Sequence, residues 1–273
     1  MTEDVVFAEV PNSVEEVFEN FKEGRHTGLP VVKKGTKKIV GIVTRSDFLR
    51  NPEEDQLAMV MTRDPVVVSE DDDIEKVSRL IIENNIRRVP VVDGEELIGI
   101  VSVADLVKII AEDGINGNVE DYMEDECSIS WVKTPAQVVA EVMRLSDTDA
   151  VIILDSQCNL AGVVSDTDLV KAFEFEDGLE RSDMGAASDE NDWTWDGVRD
   201  TMKLYYGVLK LRLPECSAED IMTEDVVYDY VGTSVKSSAK KMARGEIEQI
   251  PVLDEDNRLF GILKDRDLVK TFI

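Results

Sequence analysis

Four carboxylates recur at equivalent places along the 273-residue chain, each with neighbours that would let it grip a polyol. Asp47, Asp105 and Asp168 lie three residues after the hydroxyls of Thr44, Ser102 and Ser165, and Asp267 lies three after Lys264. Each follows a Gly-apolar-apolar run such as Gly41-Ile42-Val43 or Gly99-Ile100-Val101. An ionised carboxylate only accepts hydrogen bonds, in about four directions, so it can take both hydroxyls of a vicinal diol. A hydroxyl at the start of a helix stands where backbone N–H groups favour an anion, so Thr44, Ser102 and Ser165 could donate to a phosphate. The alternative for each Asp is that it only caps the helix that follows.

A phosphate also demands cations, and this chain has few to spare. Its 58 Asp and Glu outnumber 30 Lys and Arg, for a net charge of −28. Two charges about 4 Å apart interact by about 4 kcal/mol at an effective dielectric near 20, while those beyond roughly 8 Å are largely screened, so local residues outweigh the global charge. The run Ile86-Arg87-Arg88-Val89-Pro90 places two guanidinium groups just before an apolar strand.

What must position these residues is a fourfold repeat that starts from Met1, Met61, Met123 and Met222. Thirteen residues after each Met an amphipathic run opens, at Val14, Ile74, Ala136 and Val235. Two residues before each opening stands an N-cap type, Asn12, Asp72, Thr134 or Thr233, whose side chain can accept from first-turn amides. Glu15, Glu75 and Gln137 complete the spacing of a capping box. Twenty-nine residues after each Met come Pro30-Val31-Val32, Pro90-Val91-Val92, Ile152-Ile153-Leu154 and Pro251-Val252-Leu253, short apolar runs of the buried-strand kind. The Gly-apolar-apolar strand and a second helix follow, with turn residues such as Gly94 between the strands. Each copy therefore predicts an α+β unit ordered β-α-β-β-α, of about fifty residues and too small to bury much of its own surface.

These residues resemble the CBS-domain family, whose members carry an apolar-Pro strand followed by a Gly-apolar-apolar-Ser/Thr-x-x-Asp strand-to-helix turn. The resemblance divides the chain into repeat 1 (1–54), repeat 2 (55–115), repeat 3 (116–174), an insertion (175–216) and repeat 4 (217–273). It implies two pairs, repeats 1 with 2 and 3 with 4, in a pseudo-symmetric disc, and 273 residues suffice for two sizeable cores, one expected per pair. It also implies adenosine-containing ligands in the clefts of each pair. The first site expected combines Thr44, Arg45 and Asp47 with Arg87, Arg88 and the strand start at Pro90. A second sets Ser102 and Asp105 opposite Arg25 and His26, beside Thr27-Gly28, where a glycine admits close approach. In a third, Ser165 and Asp168 face Ile247-Glu248-Gln249, where a carboxylate replaces the helpful cation. In a fourth, Lys264, Arg266 and Asp267 face Thr148-Asp149-Ala150.

Composition narrows the function. A surface this acidic disfavours nucleic acid, which is bound by replacing counterions with Lys and Arg, and an anionic membrane for the same reason. It suits salt-adapted cytoplasmic proteins. No eighteen-residue apolar stretch occurs and the chain opens Met1-Thr2-Glu3-Asp4, so a soluble cytoplasmic protein is expected. Cys127, Cys158 and Cys216 are odd in number and read as packing residues. With His26 the single histidine, a His-based metal site or catalytic triad has little to build on. The expectation is a regulatory protein, not an enzyme, with no cofactor or metal, that senses AMP, ADP or ATP and signals through a protein partner or self-association. The alternatives are an interaction scaffold with degenerate clefts and a receptor for S-adenosylmethionine.

The insertion predicts an acidic loop from Phe175 to Asp192. A helical stripe through Trp195, Val198, Met202, Tyr205 and Leu209 then gives way to extended chain before Pro214. It reads as a lead-in helix packed on the second pair, or as a docking surface anchored by Trp193 and Trp195. The third tryptophan, Trp131, is expected in the core.

Overall fold

The computed structural model describes residues 1–22, 26–113, 115–183 and 203–273. Repeat 1 runs β1 (Ala8–Val10), α1 (Val14–Lys22), β2 (Gly28–Lys33), β3 (Ile39–Thr44) and α2 (Arg45–Arg50). After a short helix α3 (Leu57–Val60), repeat 2 gives β4 (Thr62–Arg63), α4 (Ile74–Glu83), β5 (Arg88–Asp93), β6 (Glu96–Ser102) and α5 (Val103–Asp113). Repeat 3 gives β7 (Ile129–Trp131), α6 (Ala136–Ser146), β8 (Ala150–Leu154), β9 (Leu160–Ser165) and α7 (Asp166–Ala172). The insertion forms β10 (Glu174–Asp183) and β11 (Lys203–Arg212). Repeat 4 follows as α8 (Ala218–Ile221), β12 (Asp229–Tyr230), α9 (Val235–Gly245), β13 (Gln249–Leu253), β14 (Leu259–Lys264) and α10 (Asp265–Val269).

All four first helices begin at the predicted apolar residue, but the caps fall one residue late. Asp73 and Ser234, not Asp72 and Thr233, accept from the N–H groups of Lys76 and Ser237. Asp72 instead takes the Ser69 N–H and the Lys76 ammonium. The boxes expected of Glu75 and Gln137 give way to other partners, since Glu75 takes Arg79 and Gln137 donates to the carbonyls of Leu213 and Pro214.

In every repeat the two main strands pair antiparallel with a register shift at one equivalent place, between Val31 and Val32, Val91 and Val92, Ile153 and Leu154, or Val252 and Leu253. Repeats then join in twos through their most regular residues. Met61 of repeat 2 lies over Gly41 of repeat 1, and Met1 lies over Gly99. Met222 covers Gly162 and Met123 reaches Gly261 in the other pair. A Cβ on any of these glycines would come to 2.5–2.8 Å from the nearest atom of the partner repeat, so the absence of a side chain admits the neighbouring repeat. Bridges from Thr2 to Ile100 and from Glu124 to Ile262 continue the same seams.

Helices do the opposite and pack across the pairs. One core unites repeats 1 and 3 through Phe18, Phe21, Phe48, Val139, Leu169 and Val170. The other unites repeats 2 and 4 through Ile81, Leu106, Ile110, Met242, Leu263 and Leu268. The expectation of one core per pair is thus corrected: strands hold each pair together, and the apolar helix faces, left over once the sheets are made, bury against the other pair.

The insertion also differs from its reading. Glu174–Asp183 is a strand and not a loop, and Tyr205 and Leu209 lie in β11 and not on a helix. The period-two alternation of Leu209, Leu211 and Leu213 with Lys210 and Arg212 prevails over the three-and-four spacing. The register sets Glu174 opposite Arg212, Glu176 opposite Lys210 and Asp183 opposite Lys203, acidic positions against basic ones. Trp193, Trp195, Val198 and Met202 lie outside the described residues. Trp131 does not enter the core: it is 51% exposed beside Ile129 at 54%, because β7 is a three-residue edge strand whose outward period faces solvent. Among the described residues no helix is long and apolar enough to cross a membrane.

Candidate functional site

Each strand-to-helix turn carries its carboxylate as a cap. Asp47 Oδ2 accepts from both the N–H and the hydroxyl of Thr44 at 2.7 Å. Asp105 takes the same two groups of Ser102 at 2.9 Å, and Asp168 those of Ser165 at 2.8 and 2.6 Å. Asp267 accepts from the Lys264 N–H at 3.3 Å and from Lys270 Nζ at 2.8 Å. Asp47 and Asp168 differ in their other oxygen: that of Asp168 takes the Thr223 hydroxyl at 3.3 Å, whereas both Thr44 bonds to the Asp47 carboxylate fall on Oδ2. Burial raises the Asp47 pKa above the ordinary carboxylate value, against the lowering by Thr44 and by the Arg50 and Arg88 charges.

Where the four repeats meet, the residues before the buried strands of repeats 2, 3 and 4 (Arg87, Asp149 and Glu248) gather with the residues that open the second helices of repeats 1, 3 and 4 (Arg45, Asp166 and Asp265). Backbone bonds from Val103 N–H to Arg87, Asp166 N–H to Asp149 and Asp265 N–H to Glu248 hold these residues side by side. The first pair supplies cations, Arg45 and Arg87, and the second supplies four carboxylates, Asp149, Asp166, Glu248 and Asp265. Arg87 Nη2 lies 2.6 Å from Asp265 and 3.3 Å from Glu248, with Asp149 at 3.6 Å from Nη1. Arg45, 2% exposed, lies 3.4 Å from Asp166 and donates to Thr167. The carboxylates stabilise the charged form of Arg87. Three of them share that one guanidinium, so burial still pushes Asp265 up to about 7, and burial together with Glu248 pushes Asp166 up to about 6.

Arg88 is placed differently. It is 9% exposed and reaches back into repeat 1, where Nη2 donates to the Thr27 hydroxyl and Nη1 lies over Gly28. The space opened by Gly28 is therefore filled by a guanidinium. Nη1 of Arg88 is buried and has no hydrogen-bond partner among the described residues, and the same holds for Nε of Arg45 and Oδ1 of Asp265. Burial lowers the Arg88 pKa to about 10, opposed chiefly by the Glu248 charge and reinforced by that of Arg87. A buried donor that carries charge and lacks an acceptor is costly, so this is where an anion would gain most.

Of the residues picked from sequence, the fold brings Arg88 to the repeat that holds Asp47 and Thr44, and turns Arg45 and Arg87 toward the other pair. Pro90 is buried in β5, opposite Ile100. His26 is half-buried, and Arg25 lies outside the described residues. Lys264 pairs with Glu124, and Arg266 is half-buried at the start of α10. Asp166 and Asp265 were missed. Their signal was the residue directly after the Ser, Thr or Lys of the turn, which reads Arg45, Val103, Asp166 and Asp265 in chain order. Among the described residues no group of three or more His, Cys, Asp or Glu side chains is arranged to hold a metal ion.

The CBS-domain model matches residues 1–54, 57–112 and 218–273, more than half of the chain. The chain belongs to the CBS-domain family. Repeat 3 lies outside those matches yet has the CBS β-α-β-β-α order. Protein MJ1225 of Methanocaldococcus jannaschii, an uncharacterised relative, is 23% identical over 275 residues, covering 92% of this chain and 89% of that one. Its crystal structure, described as that of a proposed archaeal homolog of g-AMPK, superposes with a TM-score of 0.79 at 20% identity, covering 100% of this chain and 98% of that one. An uncharacterised conserved protein from Pyrococcus horikoshii superposes with a TM-score of 0.64 at 28% identity, covering 100% and 97% of the two chains. Inosine-5'-monophosphate dehydrogenase of M. jannaschii is 34% identical over 107 residues, which cover 38% of this chain and only 21% of the enzyme.

Proposed function

We propose that this CBS protein is a regulatory receptor for an adenine nucleotide, held in the cleft between repeats 1 and 2. The carboxylate of Asp47 takes the ribose diol, and Arg88 takes the phosphate. The observation that carries this reading is the buried, unpartnered Nη1 of Arg88, in the repeat pair whose cations outnumber its carboxylates at the disc centre. A phosphate there would accept from Nη1 and replace the hydration that burial has removed.

The protein performs no chemistry in this account: its similarity to a dehydrogenase covers about a fifth of that enzyme's length. It acts in the cytoplasm, touches neither nucleic acid nor membrane, and signals by changing how its two pairs sit on each other, read out by a protein partner or by self-association. For that to work the ligand must favour one arrangement over the other. In the other pair, Glu248 and Gln249 stand where repeat 2 has Arg87 and Arg88, and Lys264 is paired with Glu124, so those two clefts are less suited to phosphate.

The test is the mass of any small molecule released from the purified protein, joined to calorimetric titration with AMP and with S-adenosylmethionine. Heat with AMP and a released adenine nucleotide support the reading. Heat with S-adenosylmethionine alone would replace the nucleotide by a sulfonium ligand, and no heat with either would leave an interaction scaffold.

A further inference from the structure

Resting on the nucleotide reading of the repeat 1/2 cleft, we infer that Glu248 and Asp149, which belong to the opposite pair, set how many phosphates that ligand carries. Arg88 bridges the cleft and the centre of the four repeats. It donates to Thr27 of repeat 1 and follows directly on Arg87, whose guanidinium lies 3.3 Å from Glu248 of repeat 4. A nucleotide with its diol on Asp47 and its first phosphate on Arg88 thus points its phosphate end toward the meeting point of the four repeats.

That meeting point is lined against further negative charge. The cation next to Arg88 in the chain, Arg87, is already held by Asp265 at 2.6 Å, Glu248 at 3.3 Å and Asp149 at 3.6 Å. Arg45 is held by Asp166 and Thr167. Four carboxylates face three guanidinium groups, so the centre has no net positive charge left for a second or third phosphate. A monophosphate can end at Arg88. Each longer chain places its added charge among Glu248, Asp149 and Asp265, and must either displace them from Arg87 or meet their repulsion. Glu248 and Asp149 have side chains 26% and 36% exposed, so they can be neutralised one at a time while Asp265 still holds Arg87.

Titration of the full chain with AMP, ADP and ATP, without divalent cations, tests this in the wild type, Glu248→Gln and Asp149→Asn. The wild type is expected to bind each successive nucleotide about tenfold more weakly, the size of one added charge about 4 Å from a carboxylate at a partly hydrated effective dielectric of about 60. Either variant is expected to shrink the ATP-to-AMP ratio of Kd by about fivefold. A wild-type ratio near one, or one that both variants leave unchanged while AMP still binds, overturns the inference and spares the cleft. Failure of all three nucleotides to bind any of the chains overturns the cleft reading, and this inference with it.

Discussion

Arg87 of repeat 2 donates to Asp265 of repeat 4 across 2.6 Å, and the bond spans the two halves of the disc. Each residue is fixed by its own backbone: Arg87 accepts from the Val103 N–H, and Asp265 N–H donates to Glu248. The pair therefore reports directly on how one half sits against the other. A ligand drawing on the same cluster of cations would be linked to that arrangement, and the linkage acts equally in both directions.

Replacing Arg87 with Met should cost about 3–5 kcal/mol, because it strands Asp265, Glu248 and Asp149 together with no guanidinium among them. The midpoint of urea unfolding checks this. An unchanged midpoint would mean that the cross-pair cluster contributes nothing to the fold.

The pH dependence follows from the same residues. Burial pushes Asp265 up to about 7 and Asp166 up to about 6. The folded chain then keeps protons that the unfolded chain has released from about pH 4 upward, so the contribution of these groups is fullest below that range and is lost as pH rises through 6 to 7. The melting temperature should rise between pH 7.5 and 5.5, and Asp265→Asn should flatten the rise. Parallel profiles for the two chains would refute the assignment.

Gly28→Ala separates packing from binding. Its Cβ would overlap Nη1 of Arg88, the far end of a flexible side chain, so the guanidinium must swing away. Stability should change by less than about 1 kcal/mol, while AMP affinity falls as far as it does in Arg88→Met. Retained affinity would show that Arg88 reaches the ligand without its position over Gly28.

Salt should stabilise the chain. At a net charge of −28 its self-repulsion opposes compaction, and the Debye length shrinks from about 30 Å at 0.01 M to about 3 Å at 1 M. Melting temperature is expected to climb steadily over that range in sodium chloride. A flat profile would mean that the exposed carboxylates are already compensated.

The fold was legible because the same signals recur four times. The Met and Gly of each repeat meet across a pair, as Met61 does over Gly41, so their regular spacing is the trace of a contact. Helix starts could be read from Val14, Ile74, Ala136 and Val235, but cap identity could not, since Asp72 and Asp73 are both good caps and only geometry chooses Asp73. The core partners were hidden, because apolar helix faces do not say which pair they bury against. The insertion was misread where two periods overlap at Tyr205 and Leu209. At the site, Arg88 and Asp47 were readable as motif residues. The destinations of Arg45 and Arg87 were not, because Asp166 and Asp265 lie more than a hundred residues away in sequence.

A phosphate completes the hydrogen bonding of Arg88 in the proposed complex, and calorimetric titration of AMP into the wild type and into Arg88→Met measures its contribution. One site per chain is expected in the wild type, and an affinity at least about tenfold weaker in the variant, the loss of one charge-assisted hydrogen-bonding group. Equal AMP affinity in the two folded proteins would contradict it.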